Sequence, residues 1–155
     1  MLFRSPRQRL LICAPSNTAV DELAQRLLQG IPVYLGEPGE IKTPSIVRIG
    51  DPTLVHPAVQ CVHLEQLVQA KVGIGATKKE IARARRDIIK KAEIVCATLS
   101  GAGAEVLTGQ VFETVIIDEA AQANEPSVLI PLKYSCDHCI LVGGMYTHYM
   151  TGRSA

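Results

Sequence analysis

The sequence alternates short, uninterrupted apolar runs with longer segments of helical period, and this alternation limits the possible fold more than any other feature. The runs are rich in Ile, Val and Leu, and they lack the apolar–polar alternation of a strand with one solvent-facing side. The five runs are RLLICA (9–14), SIVRIG (45–50), EIVCAT (93–98), TVIID (114–118) and CILVGG (139–144). Buried strands separated by helices predict one α/β domain, in which helices cover both faces of a mostly parallel sheet.

The first helical segment follows the first apolar run. Its apolar residues recur at helical spacing and form one stripe: Val20, Leu23, Ala24, Leu27 and Leu28. Thr18 and Asp21 have the spacing of a capping box, which predicts the start of the helix, and Gly30 predicts its end. The next segment, 31–44, is rich in proline and glycine and predicts a loop.

Two more helices are predicted at 63–71 and 77–91, and Asn124 is expected to cap a short fourth helix. In the short helix the apolar residues Val128, Leu129 and Leu132 are expected to face the core. In helix 77–91 the buried line is expected at Ile81, Ala84 and Ile88. Basic residues occupy another face of that helix: Lys79, Arg83, Arg86 and Lys90. This basic face is either a solvated surface or a ridge that faces phosphate.

The charge balance and the number of cysteines limit which partners and which cellular compartment we expect for this protein. The chain has 16 Lys plus Arg against 15 Asp plus Glu, so a nucleic-acid partner would have to be recognised by local features. No apolar run approaches the ~18 residues of a membrane span, and no secretory signal core is present at the amino terminus, so we expect an intracellular protein without membrane contact. Five cysteines, an odd number, favour a reducing compartment.

Cys136 and Cys139 have CxxC spacing with His138 between them. A closed zinc site requires four ligands, and the remaining candidates, Cys61 and His63, are distant in sequence. Ordinary buried or surface thiols are the favoured interpretation.

Asp118 and Glu119 follow the apolar run of 114–117 directly, where a strand would end. Ligands of open parallel sheets bind at the carboxyl ends of the strands. Mg²⁺ prefers oxygen ligands such as carboxylates and phosphates, and a neighbouring carboxylate can activate water. The pair therefore predicts a metal and water site, although the dipeptide alone could also form a solvated turn with a helix-capping Asp.

Three segments carry a resemblance to a known family: LLICAPSNTAVDELAQRLL (10–28), IVCATLSGAG (94–103) and FETVIIDEAAQANEPSVLIPLKYSCDHCILVGG (112–144). In this order they resemble motif Ia, motif Ic, and motif II with the strand leading to motif III of the senataxin-type superfamily 1 helicases, the group that includes the nonsense-mediated decay helicase. The segment 45–68 is similar to the family's linker before its helical insertion. The resemblance implies that 1–144 forms part of a RecA-like P-loop NTPase domain, the first of two in the family, with a shortened helical insertion at 66–92 and a divergent tail at 145–155.

The resemblance also implies an activity and a set of site residues. Members of the family are ATP-driven motors that move on single-stranded RNA or DNA, many of them nuclear. By this resemblance Asp118 would hold Mg²⁺ on the ATP phosphates through water, Glu119 would activate the hydrolytic water, and Gln122 would couple the nucleotide state to the nucleic acid. The residues expected to contact the nucleic-acid backbone are Pro15, Ser16, Asn17, Thr18, Thr98, Ser100 and Gly101. Without the family context, 98–103 would be interpreted as an ordinary turn.

The sequence departs from the family pattern in ways that affect catalysis. The motif GxxxxGK[ST], whose backbone N–H groups cradle phosphates, does not occur. The segment GEPGEIKT (36–43) imitates it, but Ile41 stands in place of the second glycine and Pro44 opposes the required helix. No segment within 1–155 resembles motif III or the second RecA-like domain with its arginine finger, both of which belong to the family pattern.

We therefore expect the chain to be catalytically incompetent alone, and we expect unpaired strand edges and marginal stability where the P-loop strand would lie. Two alternatives remain open: a non-catalytic single-strand-binding module, or a non-functional remnant.

Overall fold

A computed structural model describes residues 9–32 and 39–143, together with the backbone of 149–150. The described strands are β1 (Leu10–Ala14), β2 (Ile31–Pro32), β3 (Ile41–Lys42), β4 (Ile46–Ile49), β5 (Ile94–Thr98), β6 (Thr114–Ile117), β7 (His138–Leu141) and β8 (Tyr149–Met150). The described α-helices are α1 (Asn17–Leu28), α2 (Leu64–Val72), α3 (Lys78–Lys91) and α4 (Glu125–Leu132).

Five strands form a parallel sheet in the order β4-β5-β1-β6-β7, and β8 adds to β7 in antiparallel orientation. These five strands are the five apolar runs of the sequence, with ends that differ by at most three residues. In the register Cys13 lies beside Ala97 on one side and Ile117 on the other, so the carboxyl ends of β1, β5 and β6 lie at one edge. The prediction of a parallel sheet is confirmed.

Alternate residues along the strands contribute to two separate apolar clusters. On one face Leu11 and Cys13 pack with residues of α2 and α3, whereas on the other Ile12 and Ala14 pack against α1. Complete burial of a Leu or Ile side chain contributes about 1.5–3 kcal/mol. Burial on both faces therefore explains why the strand sequences are continuously apolar, and it confirms helices on both sides of the sheet.

The start of α1 differs from the prediction. Ser16 is the N-cap, and its hydroxyl accepts a hydrogen bond from the N–H of Ala19 at 3.1 Å. Asp21 does not take part in a capping box, because its side chain is buried and paired elsewhere. The predicted end is confirmed: the N–H of Gly30, which has a φ of 94°, donates to the carbonyl of Leu27.

Two other details of the prediction are wrong, and a third is incomplete. The segment 31–44 contains the paired strands β2 and β3 in addition to loop. On α3 Ala84 is buried and Ile81 and Ile88 pack against the core as predicted, but the fully buried isoleucine is Ile89, which was not predicted. On α4 the side chain of Leu129 is 66% exposed, although Val128 does pack against the core.

The caps of α3 and α4 agree with the sequence. Thr77 and Glu80 form a reciprocal capping box at the start of α3, and the Asn124 side chain accepts from the N–H of Ser127 at the start of α4. None of the described helices is long and apolar enough to cross a bilayer.

The free edge of β7 is covered in part. Cys139 and Ile140 pair with the two residues of β8. The expected unpaired edges where a P-loop strand would lie, and the expected marginal stability, stay predictions. The rest of the predicted tail, 145–148 and 151–155, lies outside the described residues.

Candidate nucleotide and nucleic-acid site

Three turns meet the carboxyl edge of the sheet, and they contain all ten residues that the family resemblance implied. The β1 turn (15–18) follows β1, the β5 turn (98–101) overlaps the end of β5, and the acidic loop (118–122) follows β6. Because β1 pairs with both β5 and β6, the β1 turn lies between the other two. The fold therefore brings residues from distant parts of the sequence to one edge.

Backbone hydrogen bonds hold the acidic loop. The N–H of Asp118 donates to the carbonyl of Cys13 at 2.8 Å, and the N–H of Ala120 donates to the carbonyl of Val142 at 2.8 Å. Glu119 adopts the left-handed conformation with a φ of 52°, which is uncommon for a residue other than glycine. Gln122 closes the loop by donating its N–H to the carbonyl of Glu119 at 2.9 Å.

Gly143, after β7, packs directly against this loop. A Cβ atom at Gly143 would lie 2.8 Å from the N of Ala120 and 3.0 Å from the N of Ala121. Only glycine permits this approach of two backbones. No role was predicted for Gly143 from the sequence, although its place near the end of the apolar run 139–144 was the available signal.

The two carboxylates lack positive partners among the described residues. One oxygen of Asp118, Oδ1, accepts from the N–H of Glu119 at 2.9 Å, and its other oxygen makes no hydrogen bond to a described residue. Glu119 makes no ion pair with a described residue, and both side chains are half-buried. An adjacent pair of unpaired carboxylates favours the binding of a cation.

The donor set fits Mg²⁺. Within residues 9–32 and 39–143 there is no group of three or more His, Cys, Asp or Glu side chains that could enclose a metal. Mg²⁺ commonly keeps several waters and takes one or two carboxylates together with substrate phosphates. Asp118 could hold the ion through water, with Glu119 beside it.

The β1 turn presents the amino terminus of α1. The helical ladder begins with the N–H of Val20, which donates to the carbonyl of Ser16 at 3.2 Å. The first backbone N–H groups of a helix have no intrahelical acceptor, and together with the helix dipole they favour anions such as phosphate. Thr18 is exposed, and Pro15 and Asn17 are half-buried.

A buried network of charged and polar side chains contacts the β1 turn from the side of the protein core. Arg48 on β4 is completely buried; its Nε donates to Oδ1 of Asp21 at 2.7 Å, and its Nη2 donates to Oδ1 of Asn17 at 2.8 Å. The second oxygen of Asp21 accepts from the N–H of His56 at 2.7 Å. This network was not predicted from the sequence, although an arginine inside an apolar run was a visible signal.

The β5 turn is held by its own hydroxyl groups. Oγ1 of Thr98 accepts from the N–H of Gly101 at 3.0 Å and lies 3.3 Å from Oγ of Ser100. A Cβ at Gly101 would lie 2.9 Å from Oγ1 of Thr98. These contacts fix the shape of the turn at the carboxyl end of β5.

Two further segments were candidates for phosphate contact from the sequence alone. Lys42 lies on β3 and pairs with Glu93 at 2.6 Å, so the described part of the segment that imitates a P-loop is not a phosphate cradle. The residues of the basic face of α3 are all exposed: Lys79, Arg83, Arg86 and Lys90.

Two thiols are deep in the core. Burial raises the pKa of both Cys13 and Cys96 to about 12, so they remain protonated and behave as small apolar side chains.

Comparison with known proteins places the chain in a family. A model of the AAA domain matches residues 3–83 and, in a second overlapping match, residues 73–145. The chain is 44% identical over 149 residues to the probable helicase MAGATAMA 3 of Arabidopsis thaliana, an alignment that covers 90% of this chain and 18% of the relative. It is 36% identical over 153 residues to the ATP-dependent helicase NAM7 of Saccharomyces cerevisiae. That alignment covers 92% of this chain and 16% of the relative.

A third relative is helicase sen1 of Schizosaccharomyces pombe, 30% identical over 216 residues, with 88% of this chain and 13% of the relative covered. In all three cases the chain spans less than a fifth of the relative's length. The chain therefore belongs to the AAA domain family, and its fold is part of the RecA-like domain of the senataxin-type superfamily 1 group that its sequence motifs indicated.

Proposed function

We propose that this chain supplies the motif II carboxylates and part of the single-strand contacts of an ATP-driven motor that moves on single-stranded RNA or DNA. One observation carries the proposal. The unpaired acidic loop and the amino terminus of α1 lie on neighbouring strands at the same edge of the sheet. A cation-binding and an anion-binding feature side by side suit a motor that must sense a nucleotide and a nucleic acid together.

The acidic loop would perform the chemistry of hydrolysis. Bound Mg·ATP supplies the phosphoryl group that is transferred to water. Asp118 would hold the ion through water with its free oxygen, and Glu119 would orient and deprotonate the attacking water. Gln122, exposed at the end of the loop, would respond to the nucleotide and relay its state to the bound strand.

The β1 and β5 turns would hold the sugar–phosphate backbone of the strand. The start of α1 is surrounded by Pro15, Ser16, Asn17 and Thr18. The neighbouring turn is formed by Thr98, Ser100 and Gly101. Their hydroxyl and backbone N–H groups give affinity without base preference, because phosphate contacts carry no sequence information. A strand lying across both turns would pass beside the acidic loop.

Hydrolysis requires a phosphate cradle from residues other than 1–155, because this sequence contains no GxxxxGK[ST] motif. The second RecA-like domain of the family, with its arginine finger, is the expected partner. A nuclear location is part of the same proposal.

The experiment is a pair of measurements on the 155-residue chain. Fluorescence anisotropy with short labelled strands of RNA and DNA should detect binding whose logarithmic salt slope is about −0.7 for each phosphate neutralised. Phosphate release from ATP should stay at the background level. An absence of binding at low salt would contradict the nucleic-acid role. If the chain hydrolyses ATP and this activity disappears in Glu119→Gln, the claim that residues 1–155 alone cannot catalyse hydrolysis is wrong.

A non-catalytic binding module is the second candidate, and the exposed basic face of α3 favours it. Neutralising Lys79 and Arg86 with glutamine should reduce the salt slope if this face contacts phosphate, and should leave it unchanged if the face is only solvated. Binding that also persists unchanged in Asn17→Ala and Ser100→Ala would assign the strand to α3 instead of to the carboxyl edge.

A further inference from the structure

Arg48 is a buried charge for which the proposed chemistry has no direct use. Its side chain is 0% exposed, on a strand whose neighbours are apolar. An arginine stays protonated in proteins, so the residue must be paired within the core. The pairing is extensive: besides Asp21 and Asn17, Nη1 donates to the carbonyl of Ile49.

Both carboxylate oxygens of Asp21 accept hydrogen bonds. Oδ1 faces Arg48, and Oδ2 accepts from the backbone of His56 at 2.7 Å. The Arg48–Asp21 pair thus joins β4, α1 and the loop that follows β4. Asp21 holds the guanidinium in one orientation, and that orientation directs Nη2 at Asn17.

The consequence for Asn17 follows from the chemistry of the two groups. A guanidinium has only donors, so Asn17 must turn its carbonyl oxygen towards Arg48, and its amide NH₂ must point the other way. The NH₂ group makes no hydrogen bond to a described residue. Among the described side chains that are not exposed, His63 Nδ1 is the one buried N or O atom without a partner. The Asn17 NH₂ therefore reaches solvent.

The location of this NH₂ group matters because Asn17 is the first residue of α1, at the carboxyl edge of the sheet. There it adds two N–H donors to the free backbone N–H groups of the helix start. A freely rotating Asn could present either its oxygen or its nitrogen, and the oxygen would repel a phosphate.

We propose that Arg48 is a positioning residue for strand binding: together with Asp21 it fixes Asn17 as a hydrogen-bond donor towards a phosphate oxygen of the single strand. This inference rests on the proposed function and assigns part of its binding surface. Arg48 does not touch the strand and acts only through Asn17.

The first test is a double-mutant cycle on strand binding by the 155-residue chain. Asn17→Ala should weaken binding about 3- to 10-fold, the effect of one hydrogen bond. Arg48→Lys should weaken it by a similar factor, because a single ammonium cannot hold Asp21 and Asn17 in a fixed fork. In the double variant no further loss is expected. Losses that multiply would show that Arg48 does not act through Asn17 and would overturn the proposal.

A second variant keeps the test valid if Arg48→Lys does not fold. Asn17→Asp preserves an oxygen for Arg48 but replaces the outward NH₂ with a second carboxylate oxygen. It should bind the strand more weakly than Asn17→Ala while keeping the melting temperature of the unmodified chain. If Asn17→Asp binds the strand as tightly as Asn17→Ala or more tightly, the Asn17 NH₂ group does not donate to the strand and the proposal fails. Gln29→Ala, at the exposed other end of α1, is the matched control and should bind normally.

A spectroscopic readout separates positioning from a general structural role. In ¹⁵N-labelled chain the two side-chain amide signals of Asn17 should shift on addition of the strand, and the Gln29 side-chain signals should not. Binding without any change at Asn17 would overturn this inference alone. An absence of binding by the unmodified chain would instead overturn the proposed function, and this inference with it.

Discussion

The β1 turn and the acidic loop lie on adjacent strands at the same edge, but different interactions hold them in place. Side chains anchor the β1 turn: Arg48 and Asp21 lie beneath it, and their hydrogen bonds reach Asn17. The acidic loop is anchored by its backbone, through Cys13, Val142 and the close approach of Gly143. The turn expected to bind an anion is thus built on a buried cation, whereas the loop expected to bind a cation keeps its carboxylates free.

Because of this difference, we expect charged side chains to stabilise the fold at the β1 turn, whereas at the acidic loop we expect them to serve binding and not stability. Charge removal should damage the fold at the β1 turn and leave it intact at the acidic loop. Conversely, the acidic loop should be sensitive to added volume where its backbone is crowded.

The largest effect is expected for Asp21→Asn. The change leaves Arg48 buried without a counter-charge, and breaking a buried ion pair in this way costs about 3–5 kcal/mol of unfolding free energy. An amide would also place its NH₂ against either Arg48 or the N–H of His56. Urea denaturation followed by circular dichroism measures the loss.

The matched control for this change is Glu22→Gln on the same helix. Glu22 pairs with Arg26 at 2.5 Å, but both side chains are exposed, at 62% and 72%. Exposed pairs contribute about 0–1 kcal/mol. A cost for Asp21→Asn no greater than that of Glu22→Gln would show that the buried pair does not anchor the β1 turn.

A smaller loss is expected for Gly143→Ala. The added Cβ would lie 2.8 Å from a backbone nitrogen of the acidic loop, so the loop or the end of β7 must move. Overpacking of this kind costs about 1–3 kcal/mol. Gly103→Ala is the control, because its Cβ would meet Ile130 at an ordinary 3.4 Å. Equal melting temperatures for the two variants would contradict the close contact between β7 and the loop.

The carboxylates themselves should contribute little to stability. Asp118→Asn and Glu119→Gln should change the unfolding free energy by less than about 0.5 kcal/mol, because no described positive group is left unpaired. In the first variant the amide oxygen of the new side chain could still accept from the N–H of Glu119. A loss as large as that of Asp21→Asn would show that these side chains hold the loop, which would remove the contrast between the two regions.

The sequence predicted the parts of this edge that depend on local pattern. Burial on both faces requires continuous apolar runs, so all five parallel strands could be located within a few residues. The position of Asp118 and Glu119 at a strand end followed from the same pattern. The start of α1 was misplaced because Ser16 and Thr18 are both capable caps in the same short segment, and a local pattern does not decide between them.

The supporting contacts could not be predicted, because they join distant residues. Arg48 and Asp21 are 27 residues apart, and Asp21 looks like a capping or surface residue until the fold places β4 beside α1. The exposure of Leu129 was missed for another reason. α4 is short and apolar on all sides, with Pro126 and Pro131, so its periodicity does not identify the buried face.

The smallest perturbation uses the native cysteines as reporters of the two regions. Cys13 supplies the carbonyl that binds the N–H of Asp118, and Cys96 lies near enough to Arg48 and Asp21 for their charges to affect its pKa. Burial raises the pKa of both thiols to about 12, so at pH 8 about one molecule in 10⁴ carries either thiolate. Iodoacetamide should therefore modify the exposed Cys61 first and spare Cys13 and Cys96.

The rates of labelling in variants then distinguish the two regions. Asp21→Asn should accelerate modification of Cys96 more than that of Cys13, and Gly143→Ala should do the opposite, because each substitution loosens the element nearest to its reporter. Mass spectrometry of tryptic peptides measures both sites in one sample. Equal acceleration of the two thiols in both variants would show that the carboxyl edge opens as one unit, in which case the two kinds of anchoring would not correspond to two independently stable regions.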